Sequence, residues 1–350
     1  MPNIHYKPLT RLLTDILTAV STPQDIANIV ASSLVESSLR KVESHGILRI
    51  SQYLNQVNEG WIIPSSRPSV VNQTPIMSIV DGKHGFGIYS LDCAIDISIE
   101  NAKKNKFSIV GLTGSSHTGR IGWFAEKAAT QDVITIIFGG GAHGSPDHMS
   151  VAPHAGIERV MATNPITMGF PVANYAPIIV DISTSMTSEG KIRSYKELGQ
   201  KLPFEWILDK FGQPSRKADD FYDGGAILPF AGHKGYGLGI AAEFLTGILL
   251  GGAHELNWLV LALDSAAFVG RDQYDQESAK FVKNLKESSV AEGFTEIMVP
   301  GEPEEYASTQ YKSQGIPLTD SSWQTITKIS HEAGIFDLDK YLIFNEDFDP

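Results

Sequence analysis

The chain has 350 residues, of which 42% are apolar, and a net charge of −12 at neutral pH. This length is sufficient for two or three packed units with sizeable cores. The acidic balance argues against nucleic acid as the main partner. The single cysteine, Cys93, rules out an intramolecular disulfide and fits a reducing compartment. The N-terminus has no signal-peptide pattern and no apolar run reaches the roughly 18–20 residues that span a bilayer, so we expect a cytoplasmic protein without membrane contact.

Hydrophobic spacing predicts a mixture of helices and strands along the chain. Helices are predicted at residues 8–21, from 22 onward, at 45–59, 91–104, up to 129, from 234, at 277–286, after 300 and from 319, while residues 185–230 are polar and loop-rich. Strand-like runs cover residues 107–112, 133–138, 158–162, 178–181, 258–263 and 295–299. The helix from Lys234 is apolar nearly all round, which predicts that it is buried. The mixture indicates an α/β protein with a largely buried sheet.

The segment 107–124 places His117 directly after a predicted strand. Ser115 and Ser116 precede the histidine, Gly119 and Gly122 follow it, and a helical pattern then begins. A histidine at the end of a rigid strand, among small residues that let a ligand approach, is suitable as a general acid/base. A structural histidine in an ordinary strand-to-helix turn explains the same pattern, so other residues must decide between the two.

Three polar side chains follow one another on the third predicted helix. His45, Arg49 and Tyr53 are four residues apart, which places them on one side of the helix, away from its apolar stripe. An imidazole, a guanidinium and a phenol in a row could bind a small anion. A solvated face of a surface helix remains the alternative.

Two further stretches indicate a phosphate-bearing ligand. Gly139, Gly141 and Gly144 match G-x-G-x-x-G, but the following prolines and glycines do not permit the helix that a Rossmann fingerprint requires, so we reject that fold and retain only a glycine-rich loop. Lys234 stands at the start of a predicted helix, where free backbone N–H groups favour a phosphate or carboxylate. A surface lysine at a helix end is equally consistent with the pattern.

Catalytic metal or hydrolase chemistry has weaker support. His143, His148 and His154 lie near Asp147, but their spacings of five and six fit neither a helical pair nor one face of a strand. The sequence has no G-x-S-x-G motif for a serine hydrolase. We keep a metal-dependent hydrolase that uses these histidines as an alternative function and expect no metal.

Taken together and in order, several motifs resemble one family. They are Ser44-His45-Gly46 with Arg49, Val80-Asp81-Gly82, Ser116-His117 with Gly119, Thr163-Asn164-Pro165, Asp181 with Ser183-Thr184-Ser185, Gly190-Lys191, His233-Lys234-Gly235-Tyr236, and Pro300-Gly301-Glu302-Pro303-Glu304. The set resembles the malate/L-lactate dehydrogenase family, which includes sulfolactate and hydroxycarboxylate dehydrogenases and is unrelated to Rossmann-type lactate dehydrogenases. HTGRIGWFAE, LPFAGHKGYGL and VPGEPEE are most similar to its hydroxycarboxylate dehydrogenase B branch.

The resemblance implies a mixed-sheet, non-Rossmann α/β fold of the sulfolactate dehydrogenase type, usually found as a homodimer. It implies three units: a helical unit from residues 1–75 and 305–350, a central α/β segment 76–130 that carries His117, and a dinucleotide-binding α/β unit 131–304. The sequence differs from the family pattern at Thr118, where many members have an aromatic residue, and in the longer loop after Gly139.

The resemblance also implies NAD(P)-dependent hydride transfer between nicotinamide and a small 2-hydroxy or 2-oxo acid. His117 is then the proton donor/acceptor and Asp181 either orients an imidazole or binds cofactor. His45, Arg49 and Tyr53 bind substrate, with two parallel hydrogen bonds from the arginine to the carboxylate. The expected cofactor contacts are Gly139, Gly140, Gly141, Asp181, Ile182, Ser183, Lys234, Pro300, Gly301 and Glu302. A cofactor-binding homologue without catalysis is the second alternative.

Overall fold

A computed structural model of the protein describes residues 3–141 and 149–342. We number its strands and helices in chain order. The strands are β1 Asn3–Ile4, β2 Ser69–Gln73, β3 Met77–Asp81, β4 Phe107–Thr113, β5 Val133–Gly140, β6 Ile166–Phe170, β7 Ile178–Ile182, β8 Ile207–Leu208, β9 Pro214–Ser215, β10 Ala226–Ile227, β11 Asn257–Asp264 and β12 Ile316–Pro317. The helices are α1 Tyr6–Ala19, α2 Gln24–Leu39, α3 Arg49–Asn58, α4 Gly87–Asn105, α5 Gly122–Ala129, α6 Glu189–Glu197, α7 Ala218–Tyr222, α8 His233–Glu243, α9 Arg271–Lys286, α10 Glu302–Gln314 and α11 Asp320–Glu332.

A seven-stranded mixed sheet forms the centre of the fold, in the order β2-β3-β4-β11-β5-β6-β7. Strands β3 and β4 are parallel, and the other neighbouring pairs in this sheet are antiparallel. The apolar runs of β4, β5 and β11 favour a sheet covered on both faces, and α4 and α5 pack against these strands. The expected α/β fold with a mixed sheet is confirmed.

The helices from the two ends of the chain pack together. Helix α1 lies on α2, α10 also lies on α2, and the Tyr341 hydroxyl donates to the Asp15 carboxylate. Strand β1 pairs with β12. The main core runs from these helices into the central sheet, and that sheet crosses the expected boundary at residue 130. The division into three units stays a prediction.

A second, smaller core lies between residues 151 and 227. It is built from Val151, Ile192, Leu202, Trp206, Ile207, Ala218, Phe221 and Ile227. The short strands β10, β8 and β9 form a three-stranded sheet beside it, and α6 and α7 also belong to this unit. Residues 185–230 are loop-rich, as expected, and the short elements among the loops were not predicted, because the two-residue strands and the five-residue α7 are too short to give a periodic pattern.

Two predicted strands do not form, and three strands of the sheet were not predicted. The runs at 158–162 and 295–299 form no strand; Met161 makes only an isolated bridge with Val151. Strands β2, β3 and β6 form where the sequence indicated no strand. Short strands at a sheet's periphery depend on their neighbours for pairing, so local pattern is a poor guide to them.

Helix α8 is not buried in this chain, contrary to the prediction. Its small residues Gly235, Gly239 and Ala242 face the protein, whereas Leu238 and Phe244 are 41% and 60% exposed. A π-helical turn, Phe244–Ile248, continues the helix, and it too buries small residues and exposes large apolar ones. An all-round apolar pattern indicates burial of some kind, and here the protein covers only the small-residue side. In residues 3–141 and 149–342, no helix is long and apolar enough to cross a membrane.

Candidate active site

His117 lies in the loop between β4 and α5, and buried hydrogen bonds fix this loop. The Ser116 hydroxyl donates to the Gly85 carbonyl oxygen and accepts from the Gly87 N–H, both at 2.9 Å. A side chain on Gly87 would collide with the Ser116 carbonyl, so only glycine lets the start of α4 approach this closely. The two hydrogen bonds of Ser116 and the close approach of α4 at Gly87 therefore hold the His117 loop in place.

The imidazole of His117 contacts the phenol of Tyr53. Nδ1 lies 2.8 Å from the Tyr53 hydroxyl and accepts from the Gly119 N–H at 3.3 Å. Because an amide can only donate, this contact favours the tautomer with its proton on Nε2; in the other tautomer Nδ1–H donates to the Tyr53 hydroxyl and Nε2 is free to accept a proton. Burial raises the pKa of the Tyr53 phenol, which therefore stays protonated. Burial, with a further contribution from Arg49, lowers the pKa of His117 well below its ordinary value.

A second imidazole is stacked on the first. His45 lies in a 3₁₀ turn just before α3, and its ring is 5.5 Å from that of His117 with an angle of 16° between the planes. Its Nδ1 is 2.9 Å from the Ser44 hydroxyl. Burial lowers the pKa of His45 to about 4, with smaller contributions from Arg49 and Arg120. Two neutral imidazoles therefore form one wall of the candidate site.

Arg49 is the first residue of α3, so the predicted single helical face is instead a turn followed by a helix. Its Nε donates to the Ser44 carbonyl at 2.6 Å and its Nη1 to the Gln52 amide oxygen at 2.5 Å. Within the described part of the chain, Nη2 has no hydrogen-bond acceptor. Burial lowers the pKa of Arg49, although the guanidinium stays charged. Both bonded nitrogens meet neutral oxygens, so the cation has Nη2 available for an anion.

Glu255 is a site residue that the sequence did not reveal. Its carboxylate accepts the backbone N–H of His117, is attracted by Arg49, and has a pKa raised by burial. It lies just before β11, far from His117 in the chain and outside any motif. Gln52, which holds Arg49, was also missed, although its position three residues after the arginine was a usable signal.

Asp181 ends up at the start of α5 and not beside an imidazole. Its carboxylate accepts from the Gly122 N–H at 2.8 Å and from the Thr167 hydroxyl at 2.6 Å. A carboxylate at a helix N-terminus satisfies a free N–H and interacts favourably with the helix dipole. Asp181 thus links the end of β7 to the segment that carries His117.

Three of the expected cofactor segments lie along strand β7 in space. At its beginning, the Pro300 carbonyl accepts from the Ile179 N–H at 3.0 Å, and Gly301 packs on Ile179. At its end lie Asp181, Ile182 and Ser183, and the next residue, Thr184, contacts α8 one residue after Lys234. The Glu302 carboxylate already has protein partners, because it binds the Lys286 ammonium at 2.7 Å and accepts from the Val299 N–H at 2.9 Å.

The three glycines at the end of β5 are explained by protein neighbours. A side chain on Gly139 would meet the Trp258 ring, and one on Gly140 would meet Thr246 and Glu243. Gly141 has a φ of 105°, which favours glycine. Their contact with a cofactor therefore stays a prediction.

The described residues hold no group of three or more side chains that could bind a metal ion. His143, Asp147 and His148 lie outside the described residues. His154 lies near the beginning of α8, with its ring 6.1 Å from that of His233.

Arg120 lies in the His117 loop and is 4% exposed. Its Nη2 pairs with the Glu126 carboxylate at 2.7 Å, and Glu126 also binds Arg40 at 3.1 Å. Arg40 in turn pairs with Glu36 and Glu305. This ion-pair network joins α2, α5 and α10 to the loop that carries His117.

The chain is similar in sequence and in structure to known proteins. The chain is 29% identical over 339 residues to the malate dehydrogenase of Pyrococcus abyssi, covering 91% of this chain and 92% of that protein. It is 29% identical over 323 residues to hydroxycarboxylate dehydrogenase B of Escherichia coli strain K12, covering 88% of each. The sulfolactate dehydrogenase structure from Methanocaldococcus jannaschii superimposes with a TM-score of 0.87 at 28% identity, over 97% of this chain and 100% of that one. The family model for malate/L-lactate dehydrogenase matches residues 4–327, so the chain belongs to this family of hydroxyacid dehydrogenases and is an oxidoreductase.

Proposed function

We propose that the protein transfers a hydride between a nicotinamide cofactor, NAD or NADP, and a small 2-hydroxy or 2-oxo carboxylic acid. One observation carries the proposal: the Arg49 guanidinium presents an uncommitted Nη2 next to the neutral imidazole of His117. A 2-hydroxy acid has its carboxylate and its reacting hydroxyl on adjacent carbons, so it requires a cation and a base close together.

Arg49 binds the substrate carboxylate through Nη2, and this charge-assisted bond orients the reacting carbon. With Nη1 and Nε held by Gln52 and Ser44, the expected two-bond clamp is replaced here by a single available nitrogen. His45 lines the site beside the base. The wall that it shares with His117 is neutral, so it does not compete with Arg49 for the anion.

His117 moves the proton. In oxidation Nε2 of the tautomer whose Nδ1–H donates to Tyr53 takes the hydroxyl proton of the acid, and in reduction the resulting imidazolium returns that proton to the carbonyl oxygen. The Tyr53 hydroxyl can donate to Nδ1 or accept from it, so either tautomer keeps its hydrogen bond. The cofactor, when bound, supplies or accepts the hydride.

The donor groups along β7 fit a dinucleotide. Lys234 is exposed at the beginning of α8, where helix N–H groups and an ammonium together suit phosphate. The N–H of Ile179 points away from β6, toward Pro300, and by the two-residue period of a strand the N–H of Asp181 faces the same side. Lys234, the Asp181–Ser183 segment and the Pro300–Gly301 turn would hold the cofactor, with the Gly139–Gly141 segment at the same end of the sheet as Ser183.

A homodimer is part of the proposal. The outward face of α8 and its π-helical extension carries Leu238, Ile240, Phe244, Ile248 and Leu249, each between 37% and 63% exposed. A contiguous apolar face of this kind is typical of a protein interface. A second copy of the chain that covers it would explain why the large residues of α8 point outward.

The experiment is a 340 nm assay with NADH and with NADPH against pyruvate, oxaloacetate, 2-oxoglutarate and hydroxypyruvate. For the acid that is reduced, we expect His117→Ala to lower kcat by orders of magnitude while the cofactor still binds. Arg49→Lys should chiefly raise KM for the acid, because an ammonium does not reproduce the guanidinium geometry. Near-normal turnover of the His117 variant, or an unchanged KM in the Arg49 variant, would contradict the assigned roles.

The alternatives give different results in the same assay. A metal-dependent hydrolase would lose its activity with a chelator and would not oxidise NADH. A homologue that only binds cofactor would bind NADH or NADPH and turn over none of the four acids.

A further inference from the structure

Helix α6 lies beside the guanidinium of Arg49. The helix belongs to the smaller core, in which its Ile192 is fully buried, whereas Arg49 belongs to the main unit. The Ser188 side chain caps it by accepting from the Lys191 N–H. The second residue of the helix, Gly190, is buried against Ser44 and Arg49.

A glycine at this position has no packing explanation. A side chain on Gly190 would lie 3.5 Å from the Ser44 Cβ and 3.7 Å from Arg49 Nη2, which are ordinary van der Waals distances. The backbone is helical, so no positive φ requires glycine. Glycine inside a helix is destabilising relative to alanine, because it loses more backbone freedom on folding. The fold would therefore accept alanine and gain stability from it.

We propose that Gly190 keeps open the approach of the substrate carboxylate to Arg49. The inference deepens the proposed function and rests on the assignment of Arg49 as the carboxylate-binding residue. Nη2 is the guanidinium nitrogen left without an acceptor among the described residues, and the missing side chain of Gly190 is next to it.

The distances show why a single methyl group matters. A carboxylate oxygen in a charge-assisted bond lies about 2.7–2.9 Å from the nitrogen. A methyl carbon 3.7 Å from the same nitrogen occupies the space beside that oxygen and the carboxylate carbon. The acid therefore binds in a slot between α3 and α6, and the width of the slot is set by the absence of a side chain at position 190.

The test compares Gly190→Ala with a control on the same helix, Ser194→Ala. Ser194 is exposed and its hydroxyl donates to the Gly190 carbonyl, so the control raises helix propensity without placing an atom near Arg49. Steady-state assays use the cofactor and the 2-oxo acid that the panel identifies. We expect both variants to keep or raise Tm, by up to about 1–3 °C.

Gly190→Ala should raise KM for the acid about 10- to 100-fold, which corresponds to the loss of one hydrogen bond to a charged group. The KM for the cofactor should not change, and Ser194→Ala should leave both KM values within about twofold. Since the carboxylate is common to all 2-oxo acids, the factor should be the same for each acid that is turned over. These results would support a slot at the carboxylate.

Two outcomes would overturn the inference. In one, Gly190→Ala binds the acid as well as the unmodified protein does. In the other, Gly190→Ala lowers Tm by several degrees, so that glycine is needed for packing. The assay of Arg49→Lys separates this inference from the proposed function. If that variant raises KM and Gly190→Ala does not, only the slot fails; if neither raises KM, the carboxylate site itself is misassigned.

Discussion

The Tyr53 hydroxyl lies 2.8 Å from Nδ1 of His117, although the two residues are 64 positions apart. Tyr53 is 1% exposed and extends from α3 into the core beneath the imidazole. The sequence pattern predicts Tyr53 on a polar face with the substrate-binding residues. Its contacts instead favour a positioning role. We propose that Tyr53 fixes the orientation of the base and does not bind substrate.

Replacing Tyr53 with phenylalanine should therefore affect turnover more than binding. The ring still fills its space, but Nδ1 of His117 loses its phenol partner. We expect kcat to fall about 10- to 100-fold, less than the roughly 10²- to 10⁴-fold that loss of the general acid/base itself costs, with KM for the acid changed less. Steady-state kinetics and a pH profile measure both effects. A variant with a raised KM and a normal kcat would return Tyr53 to the substrate-binding group.

The lowered pKa of His117 predicts the pH dependence of the reaction. A base with a pKa well below 6.5 stays neutral at neutral pH, so kcat/KM for oxidation of the hydroxy acid should fall only below pH 6.5. The folded state binds fewer protons than the unfolded state, in which the histidines titrate normally. The contribution of the two histidines to the free energy of unfolding should therefore be fully present above about pH 6.5. It should decrease as the pH falls toward the lowered pKa values of His117 and His45.

Two measurements check this expectation. Urea unfolding at pH 7 and pH 5 should give a lower free energy of unfolding at pH 5, and His45→Gln should reduce the difference. An acidic limb of kcat/KM at or above pH 6.5 would show that the imidazole is not shielded from water as the structure describes.

The sequence was a good guide to the residues near the base and a poorer guide to what surrounds them. His117, His45 and Arg49 belong to local motifs, and the structure brings all three together. Glu255 reaches the His117 backbone only because the start of β11 pairs beside the end of β4, a long-range pairing that leaves no local pattern. Side chains that support a site from distant strands are set by topology, which spacing does not reveal.

The error at α8 has a physical cause of another kind. Its sequence correctly indicated a helix with large apolar residues on most sides. Hydrophobicity specifies that such residues avoid water, but not which molecule covers them. In this structure the small residues of α8 face the protein, since Gly235, Gly239 and Ala242 are buried and Gly239 packs against Thr184 and Met161.

A charge on the outward face of α8 should therefore separate the proposed dimer. Phe244→Asp removes a residue that is 60% exposed in one chain and would place a carboxylate in the apolar interface. We expect sedimentation to show a dimer for the unmodified protein and a monomer for the variant. Phe211→Asp, at a 74% exposed residue of the smaller unit, is the matched control and should stay dimeric. If the unmodified chain sediments as a monomer, the proposed interface is wrong.

The carboxylate of Glu126 should be important for stability, because it is shared by two buried arginines. Arg40 retains Glu36 and Glu305 when Glu126 is neutralised, whereas Arg120 loses the only ion-pair partner that it has among the described residues. Removing one member of a buried ion pair costs about 3–5 kcal/mol, because the remaining charge stays desolvated. Glu126→Gln should therefore lower the free energy of unfolding by about that amount in urea titrations.

The controls for Glu126 distinguish a lost ion pair from a general packing defect. Glu36→Gln removes a more exposed carboxylate and should cost about 1 kcal/mol or less. In the double variant Glu126→Gln with Arg120→Met, the unpaired guanidinium is absent, so the second substitution should cost less than Arg120→Met costs alone. If the two losses simply add, Arg120 and Glu126 are not coupled, and the ion-pair network does not hold the His117 loop.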